Sequence, residues 1–247
     1  MPIGFAKHIL ASSAVSSTAN TQAADWTILA GHTGFSGISS PSAFGTSQMS
    51  DFDGSVDDTD STITLYPSDT SFRFNTNFAY TIEFWLAFTN TNSLTQSHDI
   101  FKITLDDTEG LEDTANNYGR VTANGSLVYF DTNNVTGTNS ARSNFTSSTH
   151  VAIVSNGSGT QNWYVNGSRV VNDSSYTYNG NASSCAFGFR GTRAVNGPRA
   201  VFDEIRISNT ERYSGASYTV PTSAFTTDEN TLALFHCDGN RDDSSRG

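Results

Sequence analysis

Carboxylates are the residues with the clearest potential for chemistry. Residues 51–60 (DFDGSVDDTD) and 105–113 (LDDTEGLED) each bring several oxygen ligands into one short stretch. Hard cations such as Ca²⁺ take six to eight oxygen ligands, which acidic loops on a β scaffold can supply. Neither stretch has the spacing of an EF-hand, and an acidic cluster that faces water needs no ligand. A solvated loop is therefore expected, with calcium as the alternative through Asp106, Asp107 and Glu109 in the second stretch.

A second acidic feature lies inside a strand-like segment, AVFDEIRIS (200–208). Strict alternation predicts that Asp203 stands in an apolar row with Val201 and Ile205. An ionised carboxylate in such a row must be hydrogen-bonded, paired or metal-bound. We expect Asp203 to be structural, accepting hydrogen bonds from a neighbouring turn such as the one after Phe52-Asp53-Gly54. A structural cation held by Asp53, Asp203 or Asp238 is the alternative.

Four residues are candidates for carbohydrate binding. β-Sandwich lectins hold sugars by stacking on exposed aromatic rings, with polar side chains that fix the hydroxyl groups. Tyr176 and Tyr178 in NDSSYTYNG, and Tyr118 and Arg120 beside the second acidic stretch, have the right types. Packing is the alternative for these residues, and for Tyr213 in ERYSG packing is the expectation.

Catalytic motifs are missing from the sequence. The five histidines show no HExxH or paired-ligand spacing, and no serine stands in a G-x-S-x-G elbow. His150 and His236 lie in strand-like segments and are expected to be hydrogen-bonded structural residues. The chain is therefore predicted not to be an enzyme, with no required cofactor and Ca²⁺ as the one possible ion.

Composition narrows the class of partner. The chain has 247 residues, a formal net charge of −11 and a sequence pI near 4.6, and a negative field disfavours nucleic-acid binding. Cys185 and Cys237 have no metal-motif spacing, and two free buried thiols are favoured over one disulfide. No apolar run is long enough to span a membrane, and the first residues are too weakly apolar for a convincing signal peptide.

Short strands follow one another along most of the chain, separated by clusters of Asn, Asp, Gly and Ser. YTIEFWLAF (80–88) and DIFKITLDD (99–107) alternate as half-buried strands do, and Asn166-Gly167 predicts a type I′ turn between two strands. With no helical segment of ordinary length between them, about ten to fourteen strands predict an antiparallel two-sheet sandwich. Residues 1–48, small, polar and Gly-rich, are predicted to form an extended N-terminal arm, and residues 49–247 the sandwich.

A family resemblance rests on four segments in order: FDGS (52–55), TIEFWL (81–86), HVAIVSNGSGTQNWYVNG (150–167) and the long run from FDEIRIS to FHCDG (202–239). Together they resemble the laminin-G-like members of the concanavalin A-like lectin/glucanase superfamily over about residues 49–240. The chain is most similar to the copies of this domain in tailed-phage structural proteins. It departs from the common pattern at Ser148 and Thr149, where a Trp often stands, and at Cys237, where Phe is common.

The resemblance implies a jelly-roll sandwich and, by analogy only, a function. The Glu-x-Asp-x-Glu strand of laminarinase-type enzymes is missing, which counts against hydrolysis. We therefore expect a structural component of a tailed-phage virion, a capsid decoration, knob or tail appendage that binds other virion proteins through its arm. Weak binding to host-surface glycans and homo-oligomer formation are possible additions, and a stand-alone lectin, calcium-dependent or not, is the alternative. The expected location is the virion surface.

Overall fold

The computed structural model describes residues 26–30, 62–67, 73–88, 97–104, 119–132, 135, 137, 139–177, 184–190 and 200–237. These residues form thirteen strands and one short 3-10 helix, Arg142–Phe145. The strands are β1 (Trp26–Ala30), β2 (Thr62–Pro67), β3 (Ala79–Phe88), β4 (Ser97–Thr104), β5 (Arg120–Asn124), β6 (Leu127–Asp131), β7 (Ser140–Ala141), β8 (Thr149–Asn156), β9 (Gln161–Val165), β10 (Ser168–Asp173), β11 (Ser184–Arg190), β12 (Ala200–Ser208) and β13 (Thr231–Phe235).

Two antiparallel sheets make up the fold, as the sequence predicts. One has the strand order β1-β2-β11-β4-β5-β6-β7 and the other β10-β9-β8-β3-β12-β13. Every pair of neighbouring strands is antiparallel. No helix in the described part of the chain is long and apolar enough to cross a membrane. The architecture is therefore an all-β sandwich.

Aromatic side chains join the two sheets at the centre of the core. Phe84 of β3 lies 5.3 Å from Phe101, 5.2 Å from Phe187 and 5.6 Å from Phe202, measured between ring centroids. Phe84 and Phe202 come from the six-stranded sheet, whereas Phe101 and Phe187 come from the seven-stranded sheet. Edge-to-face aromatic pairs add stabilisation beyond the area they bury, so these rings fix how the sheets face each other.

Both cysteines are buried free thiols, as the sequence favours. Burial raises the pKa of the Cys185 thiol, which keeps it protonated at neutral pH. Neither thiol is therefore a candidate nucleophile.

The segment 209–230 crosses the outer face of the six-stranded sheet, and we call it the strap. Tyr213 and Tyr218 of the strap pack on Ala152, Val154 and Tyr164 of β8 and β9. Further along, Phe225 packs with Trp85 of β3 and Leu234 of β13. The strap therefore covers apolar side chains on a face that would otherwise be open to water.

The β9–β10 turn supports one end of the strap. Asn166 and Gly167 both have positive φ, 45° and 75°, as a type I′ turn requires. The Gly167 carbonyl accepts a hydrogen bond from the Tyr218 N–H at 2.8 Å. A Cβ on Gly167 would lie 2.3 Å from the Tyr218 carbonyl oxygen, so glycine is needed both for φ and for this close approach.

A β-bulge in β12 overturns the predicted position of Asp203. Asp203 pairs with Trp85 and Arg206 with Glu83, so β12 advances three residues where β3 advances two. Glu204, with φ 49°, is the extra residue. Before the bulge the even-numbered residues of β12 face the core, as Phe202 does, and after it the odd-numbered residues do, as Ile205 does. Asp203 therefore lies on the outer face and not in the apolar row, because the bulge breaks the alternation.

The predicted boundary at residue 48 does not coincide with the edge of the sandwich. Trp26–Ala30, which falls within the predicted arm of residues 1–48, pairs with β2 and forms the edge of the seven-stranded sheet. The strand-like sequence WTILA thus joins the fold through backbone hydrogen bonds. The rest of residues 1–48 lies outside the described part of the chain.

Candidate functional site

The outer face of the seven-stranded sheet presents a group of polar side chains. Val121 and Ala123 of β5 point into the core, so the alternating residues Arg120 and Thr122 point outward. Register places Thr122 opposite both Asp99 and Tyr129, and Arg120 opposite Asp131. We call this group the polar face, and its members are Asp99, Arg120, Thr122, Tyr129 and Asp131.

Ion pairs and a hydrogen bond hold the polar face in one arrangement. Arg120 Nη1 lies 3.9 Å from Asp99 Oδ1, and Arg120 Nε lies 3.5 Å from Asp131 Oδ2. The Thr122 hydroxyl donates to Asp99 Oδ1 at 2.8 Å. The Arg120 side chain is 34% exposed and Tyr129 is half-buried, so both remain open to a ligand from solvent. The group offers carboxylate acceptors, a guanidinium donor and an aromatic ring within one surface.

The four residues predicted to bind carbohydrate have different outcomes. Arg120 lies on the polar face, whereas Tyr176 is only 1% exposed, so its ring is not available for stacking on a sugar. Tyr176 is therefore a packing residue, contrary to the prediction. Tyr118 and Tyr178 lie outside the described residues. The sequence reasoning missed Tyr129, whose outward direction follows from the core positions of Val128 and Phe130.

A second polar group lies buried under the strap, around Glu83 of β3. Arg206 donates from Nε to Glu83 Oε1 at 2.8 Å, and the Tyr213 hydroxyl donates to Glu83 Oε2 at 2.6 Å. His150 Nε2 lies 3.2 Å from Glu83 Oε2, and His150 Nδ1 lies 2.6 Å from the Tyr218 hydroxyl. Because a carboxylate only accepts, His150 donates from Nε2 and, when neutral, accepts from Tyr218 at Nδ1.

The electrostatics of this group favour an ionised Glu83. Burial alone would raise the pKa of Glu83, but the hydrogen bond from His150 and the charge of Arg206 outweigh it, so the pKa lies below its ordinary value. Burial, followed by the Glu83 carboxylate, raises the pKa of Tyr213, which therefore keeps its proton and donates. A buried charge with several hydrogen-bond donors is stable in place, whereas one deprived of them is not.

A second ion pair closes the strap on itself. Arg212 donates from Nη1 and Nη2 to the two carboxylate oxygens of Asp228 at 2.8 and 2.7 Å. Arg212 Nε donates to the Ser208 hydroxyl at 2.6 Å, which links the pair to the end of β12. The hydrogen bonds from Arg212 hold the pKa of Asp228 below its usual range.

The Glu83 group resembles a catalytic acid–base pair only in composition. A general base must come within hydrogen-bond reach of a substrate proton, but the Glu83 and His150 side chains have no exposed surface. The group therefore anchors the strap. His150 and Tyr213 have the structural roles predicted from the sequence. Glu83 was missed because alternation in YTIEFWLAF places it on the face predicted to meet water, and the strap that covers this face is distant in sequence.

The bulge in β12 has its own hydrogen bonds. Asp203 Oδ1 accepts from the N–H of Glu204 at 3.0 Å. The turn after Phe52-Asp53-Gly54, from which Asp203 was predicted to accept, lies outside the described residues. Glu204 Oε2 accepts from the Phe225 N–H at 2.7 Å, and Glu204 Oε1 lies 2.8 Å from His236 Nδ1. These bonds hold Glu204 in its left-handed conformation and bind the strap to the bulge.

The predicted metal ligands are mostly outside the described residues. Asp53, Asp106, Asp107, Glu109 and Asp238 cannot be placed, and Asp203 alone is described. Within the described ranges, no three His, Cys, Asp or Glu side chains are grouped where they could hold a metal ion. The calcium site stays a prediction.

Comparison with known proteins gives similarity at the level of structure. No protein-family model matches the chain, and no curated protein sequence matches it. The binding domain of Paraclostridial Mosquitocidal Protein 1 is similar, with a TM-score of 0.54 and 16% identity over 76% of this chain and 45% of that one. The binding domain of botulinum neurotoxin serotype D/C matches with a TM-score of 0.45 and 15% identity over 64% of this chain and 39% of that one.

Of these two matches, the first alone is close enough to support a shared fold. It shows the fold alone, and its low identity gives no residue-level correspondence. The chain spans less than half the length of the structures it matches. What those proteins do as a whole therefore does not transfer directly to this chain.

Proposed function

We propose that this chain is a non-catalytic recognition domain that binds a neutral glycan through the polar face. The observation that carries the proposal is the contrast between the two outer faces. The strap covers the outer face of the six-stranded sheet. On the outer face of the seven-stranded sheet, Arg120 and Tyr129 remain accessible to solvent. A rigid, partly exposed set of donors and acceptors beside an aromatic ring suits sugar hydroxyl groups.

The charges of the polar face favour an uncharged sugar. Asp99 and Asp131 can accept hydrogen bonds from hydroxyl groups, while Arg120 donates and Tyr129 offers its ring to the C–H groups of the sugar. The net charge of −11 on the chain repels sulfated or carboxylated glycans. The pairing already present in the free protein reduces the cost of ordering these side chains on binding.

A glycan array followed by calorimetry tests this proposal. The array identifies a neutral ligand, and Tyr129→Ala and Arg120→Ala are each expected to weaken its binding at least about tenfold, a loss of about 1.4 kcal/mol. Arg169→Ala is the matched control, since Arg169 is exposed on β10, in the other sheet, and is not a member of the polar face. Binding that survives both polar-face variants, or an array with no neutral ligand, would contradict the proposal.

We further propose that the domain is carried on a tailed-phage virion, as a capsid decoration, knob or tail appendage. Support comes from the resemblance of residues 49–240 to phage structural proteins. Residues 1–25 precede the first strand and are the part of the predicted arm that could contact other virion proteins without disturbing β1. The proposed location is the virion surface, with homo-oligomers formed on a symmetric lattice.

Removal of residues 1–25 separates this proposal from a stand-alone lectin. The shortened chain should still bind glycan but should no longer enter assembled particles, as measured by complementation of a phage lacking the gene. Undiminished incorporation would refute a docking role for the segment.

Repeating the glycan titration with calcium and with EDTA tests the proposed calcium site, since a calcium-dependent lectin loses affinity in EDTA.

A further inference from the structure

Arg142 occupies an unusual position at one end of the sandwich. It opens the 3-10 helix that leads into β8, and its backbone N–H donates to the Ser126 carbonyl at 2.8 Å. Within that helix, Arg142 and Phe145 are fully buried, while Ser143 and Asn144 are exposed. The side chain of Arg142 thus points inward beneath a single turn of surface backbone.

The surroundings of the Arg142 side chain include aromatic rings. Its guanidinium carbon lies 5.9 Å from the centroid of the Phe88 ring. Phe145 lies 6.0 Å from Phe88 and 6.3 Å from Phe130. Nε, Nη1 and Nη2 of Arg142 have no hydrogen-bond partner among the described residues. A cation–π contact with Phe88 is the one electrostatic interaction of this charge in the described structure.

Two other arginines, one buried and one half-buried, show how this chain satisfies such a group. Arg206 donates to Glu83 and to the Thr226 carbonyl, and Arg212 pairs bidentately with Asp228. Burial lowers the pKa of Arg142, but arginine keeps its proton at neutral pH. A buried cation without hydrogen bonds is costly, and native proteins rarely leave one unsatisfied. Arg142 therefore has the properties of a group that receives its partner from outside the chain.

We propose that Arg142 binds the carboxylate group of a small anionic ligand at this end of the sandwich. The planar guanidinium matches a carboxylate through two parallel hydrogen bonds, and we assign a carboxylate rather than a tetrahedral anion because it is flatter and smaller beside the rings of Phe88 and Phe145. The 3-10 turn that carries Arg142 lies beside the Gly125-Ser126 turn, since the Arg142 N–H donates to the Ser126 carbonyl, and on this proposal a ligand would enter by displacing the 3-10 turn. The site does not share residues with the polar face and does not depend on the proposed glycan function.

Thermal unfolding of the full chain in sodium acetate and in sodium chloride, at equal ionic strength, tests this proposal. Binding to the folded state raises Tm by mass action, and at ten times Kd the shift for a chain of this size is roughly 3–6 °C. D-glucuronate in place of acetate asks whether an acidic sugar is accepted, and its uncharged methyl ester should have no effect. A response to sulfate that equals the response to acetate would overturn the assignment to carboxylates.

Arg142→Met removes the charge while keeping a long side chain, and Arg169→Met makes the same change at an exposed site on β10. The acetate response should disappear in Arg142→Met and persist in Arg169→Met. We also expect Arg142→Met to melt no lower than wild type in chloride, because it removes an unpaired buried charge. Equal acetate responses in wild type and Arg142→Met would refute the site.

One measurement needs no variant. The Nε–H resonance of a buried arginine can be followed in a ¹⁵N–¹H spectrum, and for Arg142 it should shift saturably with acetate and not with chloride. An unchanged resonance would mean that ordered water alone satisfies Arg142, and the proposal would fall even if Arg142→Met did not fold.

Discussion

The outer faces of the two sheets differ in whether their charged side chains are buried or partly exposed. On the six-stranded sheet, Glu83 is completely buried and is bonded to Arg206 of β12, His150 of β8 and Tyr213 of the strap. On the seven-stranded sheet, Arg120 is paired with carboxylates but stays about one-third exposed. One face uses its charges to fix a segment of its own chain, while the other keeps its charges where a second molecule can reach them.

Burial decides how much each charge contributes to stability. A buried ion pair that loses one member leaves an unpaired charge in a medium that cannot solvate it, whereas an exposed pair is replaced by water at little cost. The same residue types therefore fix the fold on one face and stay partly exposed to solvent on the other. Experiments that remove charges from each face should give clearly different results.

The largest effect is expected from Glu83→Ala. It leaves Arg206 buried beside a missing carboxylate and removes the acceptor of Tyr213, so the free energy of unfolding should fall by about 3–5 kcal/mol. Arg120→Ala is the control on the other face and should cost less, about 1–2 kcal/mol, because Arg120 is one-third exposed and its contacts to Asp99 and Asp131 are 3.9 and 3.5 Å long. Urea unfolding measures both. Equal losses for the two variants would remove the distinction between the faces.

A smaller effect is expected where the strap meets the β9–β10 turn. Gly167→Ala places a Cβ against the Tyr218 carbonyl and strains a positive φ, so it should cost at least about 2 kcal/mol. Gly125 also has a positive φ, 59°, but a Cβ added there would have no neighbour within 4 Å. Gly125→Ala should therefore cost only about 1 kcal/mol, the strain of φ alone. If urea unfolding gives the same loss of unfolding free energy for both variants, the close contact between Gly167 and the Tyr218 carbonyl does not contribute to the cost.

The smallest effect on the free energy of unfolding is expected when the pH is lowered from 7 towards 4. The pKa of Glu83 is lower in the folded chain than its ordinary value, so its contribution is complete above the unfolded pKa of about 4.3. It is lost as pH falls through the lower folded pKa. Asp228 shifts in the same direction because of Arg212. The stability gap between wild type and Glu83→Gln should therefore narrow as the pH falls below about 4. A gap that widens on acidification would contradict an ionised Glu83.

Much of the fold was accessible from local patterns. Alternation in YTIEFWLAF correctly placed Ile82, Phe84 and Leu86 in the core, because β3 has no interruption and its period of two survives in the structure. Asn166-Gly167 identified its turn because positive φ at both positions is a property of the two residues themselves. In β12 the same reasoning failed at Asp203, because the bulge depends on the register with β3, which alternation within one strand cannot reveal.

The candidate sites depended more heavily on contacts between distant residues. Arg120 was selected by type and sequence position, but its partners Asp99 and Asp131 come from β4 and β6 and are fixed by sheet register. Tyr176 was selected by the same reasoning and is buried. Side-chain type alone does not distinguish an exposed tyrosine from a packed one, since both present the same amphipathic ring.

Local periodicity and composition were sufficient for the all-β class, most of the strands, the free thiols and the acidic net charge, because each of these is a property of short segments or of residue counts. Which charges are buried emerged only from the packing of the folded chain. Glu83 meets Arg206 and Tyr213 across separations of 123 and 130 residues, and Arg142 reaches an aromatic environment without a counter-ion among the described residues. Solvation and pairing are properties of the folded surroundings of a group, so the same arginine or glutamate is an anchor, a ligand or a solvated charge according to what packs around it.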